Sequence, residues 1–187
     1  MANRQMRAAL LALFASATLS FIDNFVGPVA EEASIWQFQV VRTLIVIPIL
    51  LTFARVTGQR VRPVSLRKTA LRSFAVSTGL LIYFAALGVL PVAQAGAGLF
   101  SAPIWVLLFS ALLFAARITL FQVGAMLTGF AGVLMLLQPD LTALSVLSLM
   151  PLVAGIFYGL GMLLTPYLCQ DETPIALAMG IFVIMGT

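Results

Sequence analysis

The sequence predicts an all-α integral membrane protein, a polytopic bundle of apolar helices. Of its 187 residues, 62% are hydrophobic and only 9% are charged, and the mean hydropathy is +1.13. A soluble domain is typically about 45–50% apolar and about 25% charged, because its surface faces water. Too few charges are present here to cover such a surface. The apolar residues also run in long stretches, as membrane-crossing helices require.

Six stretches are long enough to cross a bilayer, since a crossing helix needs about 20 mainly apolar residues. They lie near residues 7–28, 35–54, 70–90, 92–116, 118–137 and 143–168. A seventh apolar run begins at Pro174 and reaches Thr187, which is too short to cross by itself.

The basic residues predict the orientation of these spans. If the spans alternate, all but one of the ten Lys and Arg residues fall on one side, namely Arg4, Arg7, Arg55, Arg60, Arg62, Arg67, Lys68, Arg72 and Arg117. The opposite side carries Glu31, Glu32 and Asp140. Because cytoplasmic connections are enriched in Lys and Arg, we expect a multi-pass protein with a cytoplasmic N-terminus.

The composition also excludes several kinds of chemistry. The chain has no histidine and a single cysteine, Cys169, so neither a His-based metal site nor an intramolecular disulfide can form. No Ser-x-x-Lys pair and no paired acids occur inside the spans. We therefore expect no enzyme, no metal and no cofactor. The net charge of +4 lies in short connections, which membrane topology explains better than nucleic-acid binding.

Two segments share one plan and predict an internal repeat. "EEASIWQFQVV" (31–41) and "DETPIALAMG" (171–180) each follow a span, open with two acids and lead into an apolar run. An odd number of spans separates them, so the second copy is inverted, as in many secondary transporters. We expect a first five-helix repeat over 1–140 and a partial second repeat over 141–187. A complete molecule would then have about ten spans, and this chain would be truncated.

Several segments in order resemble one family. The stretch "ALGVLPVAQAGAGLFSAPIWVLLFSALLFAARITLFQVGAMLTGFAGVLMLLQP" (86–139) is similar to the end of the first repeat in drug/metabolite transporters of the EamA type. The similarity rests on the turn at Pro91–Ala93, the mid-span Pro103, and the glycines Gly124, Gly129 and Gly132. Upstream, "FQVVRTL" resembles the arginine motif of the family's second span, which places Arg42 at the motif's arginine. "SFIDNFV" resembles the Asp/Asn segment of the family's first span, which places Asp23 and Asn24 there.

The resemblance covers roughly residues 1–180 and implies a ten-helix carrier of the inner membrane. Such carriers move amino acids, related metabolites or drugs, often outward. We expect a secondary transporter that works by alternating access, with the lipid bilayer and a small-molecule substrate as partners. The alternative is a truncated, non-transporting protein, or a half-carrier that needs a partner chain or a homo-oligomer. Ala116 and Gln94 stand where the family often has acids, which puts a coupling role for those acids in doubt.

Asp23 and Arg42 are charges inside apolar spans, where each costs at least ~2.5–3.5 kcal/mol. By helical rise, Asp23 lies ~24 Å above Arg7 and Arg42 lies ~12 Å beneath Ser34. Both therefore lie in the outer half of a ~30 Å core. They can form a fixed ion pair, or Arg42 can snorkel outward. Alternatively they border a substrate cavity, with Arg42 binding a carboxylate and Asp23 an amine or a proton.

Polar and small residues at helical spacing complete the predicted site. Gln94, Gly98, Ser101 and Trp105 follow at +4, +3 and +4, so they share one face of a helix. This face can line a cavity or form a packing seam. The candidates for the cavity are Asp23, Asn24, Arg42, Gln94, Ser101, Trp105 and Tyr158.

The remaining small residues predict close helix packing rather than chemistry. Gly155 and Gly159 are four residues apart, and Ala125, Gly129 and Gly132 follow at +4 and +3.

Overall fold

The computed structural model describes residues 35–137 and 146–186, together with six helical positions between Met6 and Phe21. Within these residues the chain is helical and has no strand. The helices are α1 (Ile35–Thr57), α2 (Leu66–Leu87), α3 (Val92–Leu99), α4 (Ala102–Phe114), α5 (Leu120–Leu137), α6 (Met150–Leu168) and α7 (Pro174–Met185). A short 3₁₀ turn, Val146–Leu149, precedes α6. The prediction of an all-α polytopic bundle is confirmed.

Most of the predicted spans coincide with helices of the structure. Four stretches of the described chain are long and apolar enough to cross a membrane: Gln37–Thr57, Leu66–Leu87, Val92–Phe114 and Val146–Leu168. The helices Leu120–Met135 and Pro174–Met185 are apolar but shorter. The predicted first span, near 7–28, lies mostly outside the described residues.

The predicted span at 92–116 is a pair of helices, with a break at Phe100 and Ser101. Pro103 has no N–H, so it cannot bond the carbonyl four residues earlier. The carbonyls before the break find local donors instead. Gly98 O accepts from Ser101 N at 3.1 Å and from Ser101 Oγ at 2.6 Å. Gly98 O is thus hydrogen-bonded inside the bundle, as a membrane interior requires of backbone groups.

The helix α6 lies at the centre of the bundle, against α2, α3 and α4. The last helix, α7, packs on α1 and α2. One buried apolar cluster joins these elements, formed by Tyr83, Phe84, Ala86, Leu87, Ala95, Ala154 and Met185. The segment predicted as the second repeat therefore shares its core with the first. The boundary near residue 140 stays a prediction.

The backbones of α2 and α6 are in contact because each helix has a glycine at the contact, Gly79 on α2 and Gly161 on α6. A Cβ at Gly79 would lie 2.7 Å from Tyr158 N and 2.9 Å from Ala154 O, closer than any real Cβ contact. On α6, Gly161 meets Val76 in the same way. Lipid tails are as apolar as leucine, so such close van der Waals contact, rather than hydrophobic burial, drives helices together in a membrane.

The predicted glycine packing is confirmed on α6, whereas the described residues show no such packing on α5. A Cβ at Gly155 would lie 2.5 Å from Gly98 O, and one at Gly159 would lie 2.8 Å from Ala102 O. By contrast, no described atom lies within 4 Å of a Cβ built at Gly124, Gly129 or Gly132. The helix α5 is accordingly exposed over most of its length, and Leu120 at its start is 91% exposed.

We predict that Gly79→Leu will lower the melting temperature of the purified protein in detergent. The added side chain must push α2 away from α6, and overpacking typically costs about 1–3 kcal/mol. Gly129→Leu is the matched control, because the space beside Gly129 is open in the described structure. Equal losses in the two variants would contradict the packing described here.

Candidate functional site

Arg42 lies between two aromatic rings from different helices. Its Cζ is 5.5 Å from the ring centroid of Phe84 on α2 and 5.4 Å from that of Phe182 on α7. A guanidinium over an aromatic face is attracted by the ring quadrupole, by about 2 kcal/mol or more when water is excluded. The two rings thus offset part of the cost of keeping a half-buried charge in an apolar bundle. We call Arg42, Phe84, Phe182 and Gln39 the Arg42 site.

An aromatic cluster holds the Phe84 ring in place. Phe84 is 5% exposed, and its ring contacts Tyr83 at 5.5 Å and Phe38 at 6.4 Å between centroids. Phe38 lies one helical turn before Arg42, on the same face of α1. The spacing of the α1 sequence therefore brings the cation and an aromatic side chain to the same ring.

Gln39 belongs to the site because it lies three residues before Arg42 on α1, on the same face. It is 1% exposed, and its Nε2 finds no acceptor among the described residues. One turn further, Thr43 is also buried and lies against Gly186, just after α7. The buried polar face of α1 is therefore covered by the end of α7.

The other predicted site residues lie elsewhere, where they are described. Asp23 and Asn24 lie outside the described residues. Gln94 is half-buried in the first turn of α3, and its backbone N–H donates to Pro91 O at 2.9 Å. Tyr158 lies on α6 at the close contact with Gly79.

Ser101 and Trp105 meet at the break between α3 and α4. Trp105 Nε1 donates to Ser101 Oγ at 3.0 Å, and the Trp105 ring stacks on Phe109 with centroids 6.2 Å apart. Both residues face α6, where Gly155 approaches Ser101 and Gly159 approaches Trp105. The pair therefore lies at the α4–α6 contact, whereas Arg42 lies where α1, α2 and α7 meet.

A second arginine in the bundle, Arg72, ties three helices together. From α2, its Nε donates to Thr165 Oγ1 on α6 at 3.1 Å, and its Nη1 donates to Leu177 O on α7 at 3.3 Å. The sequence marked Arg72 only as a cytoplasmic charge. Its place near the start of α2 and its bonds to neighbouring helices make it a structural residue of the bundle.

Glu172 fastens the start of α7 to the connection between α1 and α2. Its carboxylate accepts from Val64 N and Ser65 N, both at 2.8 Å, and from Thr69 Oγ1 at 2.9 Å. The next residue, Thr173, donates its hydroxyl to Arg60 O at 2.5 Å. The second acid of "DETPIALAMG" thus has a structural role that the sequence pattern alone did not assign.

These hydrogen bonds lower the pKa of the Glu172 carboxyl group. Partial burial alone would raise the pKa of its carboxyl group. The donors Ser65 N, Val64 N and Thr69 Oγ1, together with the charge of Arg60, outweigh this effect and hold the pKa below its ordinary value of 4.5. Glu172 is therefore a carboxylate at neutral pH, and its bonds are charge-assisted.

A model of the EamA-like transporter family matches residues 6–138, well over half of the chain. The chain belongs to the EamA-like transporter family. Comparison with curated proteins and with solved structures gave no significant match. Family membership establishes a membrane protein with a transporter-like role and agrees at family level with a protein that is not an enzyme. The matched range of this EamA-like chain includes Arg42, Gln39 and Phe84, whereas Phe182 and Glu172 follow it.

Sequence reasoning missed Gln39, Phe84 and Phe182. Gln39 could have been found, since the segment "FQVVRT" places Phe38, Gln39, Arg42 and Thr43 on one helical face. The two phenylalanines carry no local signal, because only the packing of α2 and α7 on α1 brings them to Arg42.

We predict that Glu172→Ala will destabilise the EamA-like chain by about 1–3 kcal/mol at pH 7, because it leaves the donors of the α1–α2 connection without their charged acceptor. Asp171→Ala, at the neighbouring acid, is the control and should have little effect. Because the folded pKa is lowered, the stabilisation is complete above pH 4.5 and is lost as the pH falls through the folded pKa. Thermal melts in detergent should therefore show the melting temperatures of the wild type and Glu172→Ala converging in strongly acidic buffer. A constant difference across the pH range would contradict this role.

Proposed function

We propose that this protein is a secondary transporter that moves a small metabolite, an amino acid or a related compound, across the inner membrane by alternating access. The observation that carries the proposal is the half-buried Arg42, which lies between Phe84 and Phe182 in an otherwise apolar bundle. Ionisable residues inside membrane helices are rare and commonly mark substrate pathways. Membership of a transporter family supports the same reading.

The chemistry of the Arg42 site favours a substrate with a carboxylate. A guanidinium offers five N–H donors in one plane, and a carboxylate binds within that plane. The cation–π contacts with Phe84 and Phe182 involve the charge of the guanidinium. We propose that Arg42 keeps these contacts when its N–H groups bind the carboxylate of a substrate.

The position of the site between α1 and α7 supports alternating access. In the predicted repeat, α1 belongs to the first half and α7 to the second, and carriers of this kind bind substrates between their repeats. In the described structure Phe182 covers Arg42, and Gly186 lies against Thr43. We therefore infer that the substrate reaches Arg42 when the end of α7 moves away from α1.

The same proposal assigns the sides of the membrane. The connection between α1 and α2 carries Arg60, Arg62, Arg67 and Lys68, which the positive-inside rule assigns to the cytoplasm. The bond network of Glu172 lies on this side. It would hold the cytoplasmic end of α7 while the other end moves.

A half-carrier that works with a partner chain or a second copy is the alternative. The observation that favours it is the glycine face of α5, which no described residue contacts, since glycines at this spacing usually face another helix. In that case the Arg42 site would keep its role, and a second bundle would cover α5.

We predict that Arg42→Ala will reduce transport of amino acids at least about tenfold, because one hydrogen-bonded charge contact is worth about 1.5–3 kcal/mol. Arg42→Lys should retain part of the activity, since it keeps the charge but loses the planar fork. The measurement is counterflow of a mixture of radiolabelled amino acids in proteoliposomes.

Arg55→Ala is the matched control, because Arg55 is an exposed basic residue in the last turn of the same helix. It should transport like the wild type. Normal transport by a folded Arg42→Ala protein would refute the role of Arg42. A wild-type protein that moves none of the amino acids would refute the substrate class.

A further inference from the structure

Gln39 is a large polar side chain buried without a partner for its donor group. It is 1% exposed, and no acceptor for its Nε2 exists among the described residues. Buried amide groups are nearly always hydrogen-bonded, so each exception needs a physical reason. The cost is greatest in an apolar surrounding, where no water replaces the missing partner.

Packing does not explain why this residue is a glutamine. A leucine or methionine would fill a similar volume at this position without an unpaired donor. Ser73 Oγ is the other buried side-chain atom of the described chain that lacks a hydrogen-bond partner, but its surroundings differ. Ser73 lies where Gly180 of α7 approaches α2, so a small side chain is required there. No such restriction accounts for the amide of Gln39.

The position of Gln39 supplies a reason. Residues three apart on a helix are neighbours, with Cβ atoms about 5–6 Å apart. The side chains of Gln39 and Arg42 can therefore reach the same group. Each offers N–H donors, and neither donor set suits a cation. The shared requirement is an acceptor with more than one lone pair, which a carboxylate provides.

We infer that Gln39 is a substrate-binding residue, whose amide N–H donates to the substrate carboxylate that Arg42 also binds. The inference rests on the transport function proposed above and deepens it, because it adds a second donor. Charge attraction to Arg42 alone would admit any small anion. A directional amide donor one turn away selects substrates with an acceptor oxygen at that point, since a buried donor left unpaired disfavours the complex.

The consequence is a specificity for acids over their carboxamides. An amide analogue lacks the negative charge that Arg42 requires and places an NH₂ group where one oxygen of the acid would be. Gln39 can also bind that group, because its amide can turn to present Oε1 instead of Nε2, so the discrimination against carboxamides comes from Arg42. Arg42 and Gln39 thus act on the same part of the substrate for different reasons.

The test uses Gln39→Leu, with Gln39→Met as a second variant of similar length. Counterflow of radiolabelled amino acids is measured in proteoliposomes, with an unlabelled amino acid or its carboxamide as competitor. We expect KM to rise about tenfold or more in both variants, with the preference for the acid over the amide retained because Arg42 is unchanged. We also expect a higher melting temperature, because the variants remove an unpaired buried donor.

Ser73→Ala is the matched control, since it removes the other unpaired buried side-chain atom of the described chain and lies on α2, not on the face of α1 that carries Gln39 and Arg42. It should raise the melting temperature and leave KM unchanged. An unchanged KM in the folded Gln39 variants would overturn the inference, as would a fall in melting temperature with transport lost in proportion to folded protein.

Failure of the proposed function gives a different result. If the wild-type protein moves no amino acid, the substrate class proposed above and this inference both fall. If Arg42→Ala abolishes transport while Gln39→Leu and Gln39→Met keep the wild-type KM, the transport proposal stands and only the role of Gln39 is refuted.

Discussion

The close contact between α2 and α6 is the constraint on which the rest of the structure depends. Two backbones meet there because Gly79 and Gly161 have no side chains. This contact places α6 at the centre of the bundle, and the short connection after it delivers α7 to α1 and α2. Phe182 reaches Arg42 only because α7 is held there. The geometry of the candidate site therefore follows from a packing contact that contains none of its residues.

Three charges show how an apolar bundle accommodates ions in different ways. Arg72 donates to Thr165 and to the Leu177 carbonyl, and Glu172 accepts from the backbone of residues 64 and 65. Both are held by fixed hydrogen bonds that join helices or connections. The Arg42 guanidinium lies over two aromatic rings, and the buried amide of Gln39 lies one turn away. The bonds of Arg72 and Glu172 join elements of the fold, whereas we propose that Arg42 and Gln39 bind a ligand.

The sequence predicts the helices well because the length of an apolar run is a local property. It also marks Arg42, since a charge inside such a run stands out. It does not predict that Gln39 Nε2 lacks an acceptor or that Phe182 contacts Arg42, because both depend on which helices pack together. Pro103 signals a disturbed helix, yet only the structure gives the break at Ser101. The glycines of α5 look like those of α6 in sequence, yet within the described part of the chain only those of α6 meet a neighbouring helix.

The measurement that tests the account most directly is a reversible cross-link between α1 and α7. A Cβ at Gly186 would lie 3.2 Å from the Cβ of Thr43, near the spacing of about 3.5–4.5 Å found in disulfides. Thr43→Cys and Gly186→Cys would be combined with Cys169→Ala, which removes the native thiol. If the substrate reaches Arg42 by movement of α7, oxidation stops counterflow in proteoliposomes and reduction restores it. Full transport by the completely oxidised protein would contradict the account.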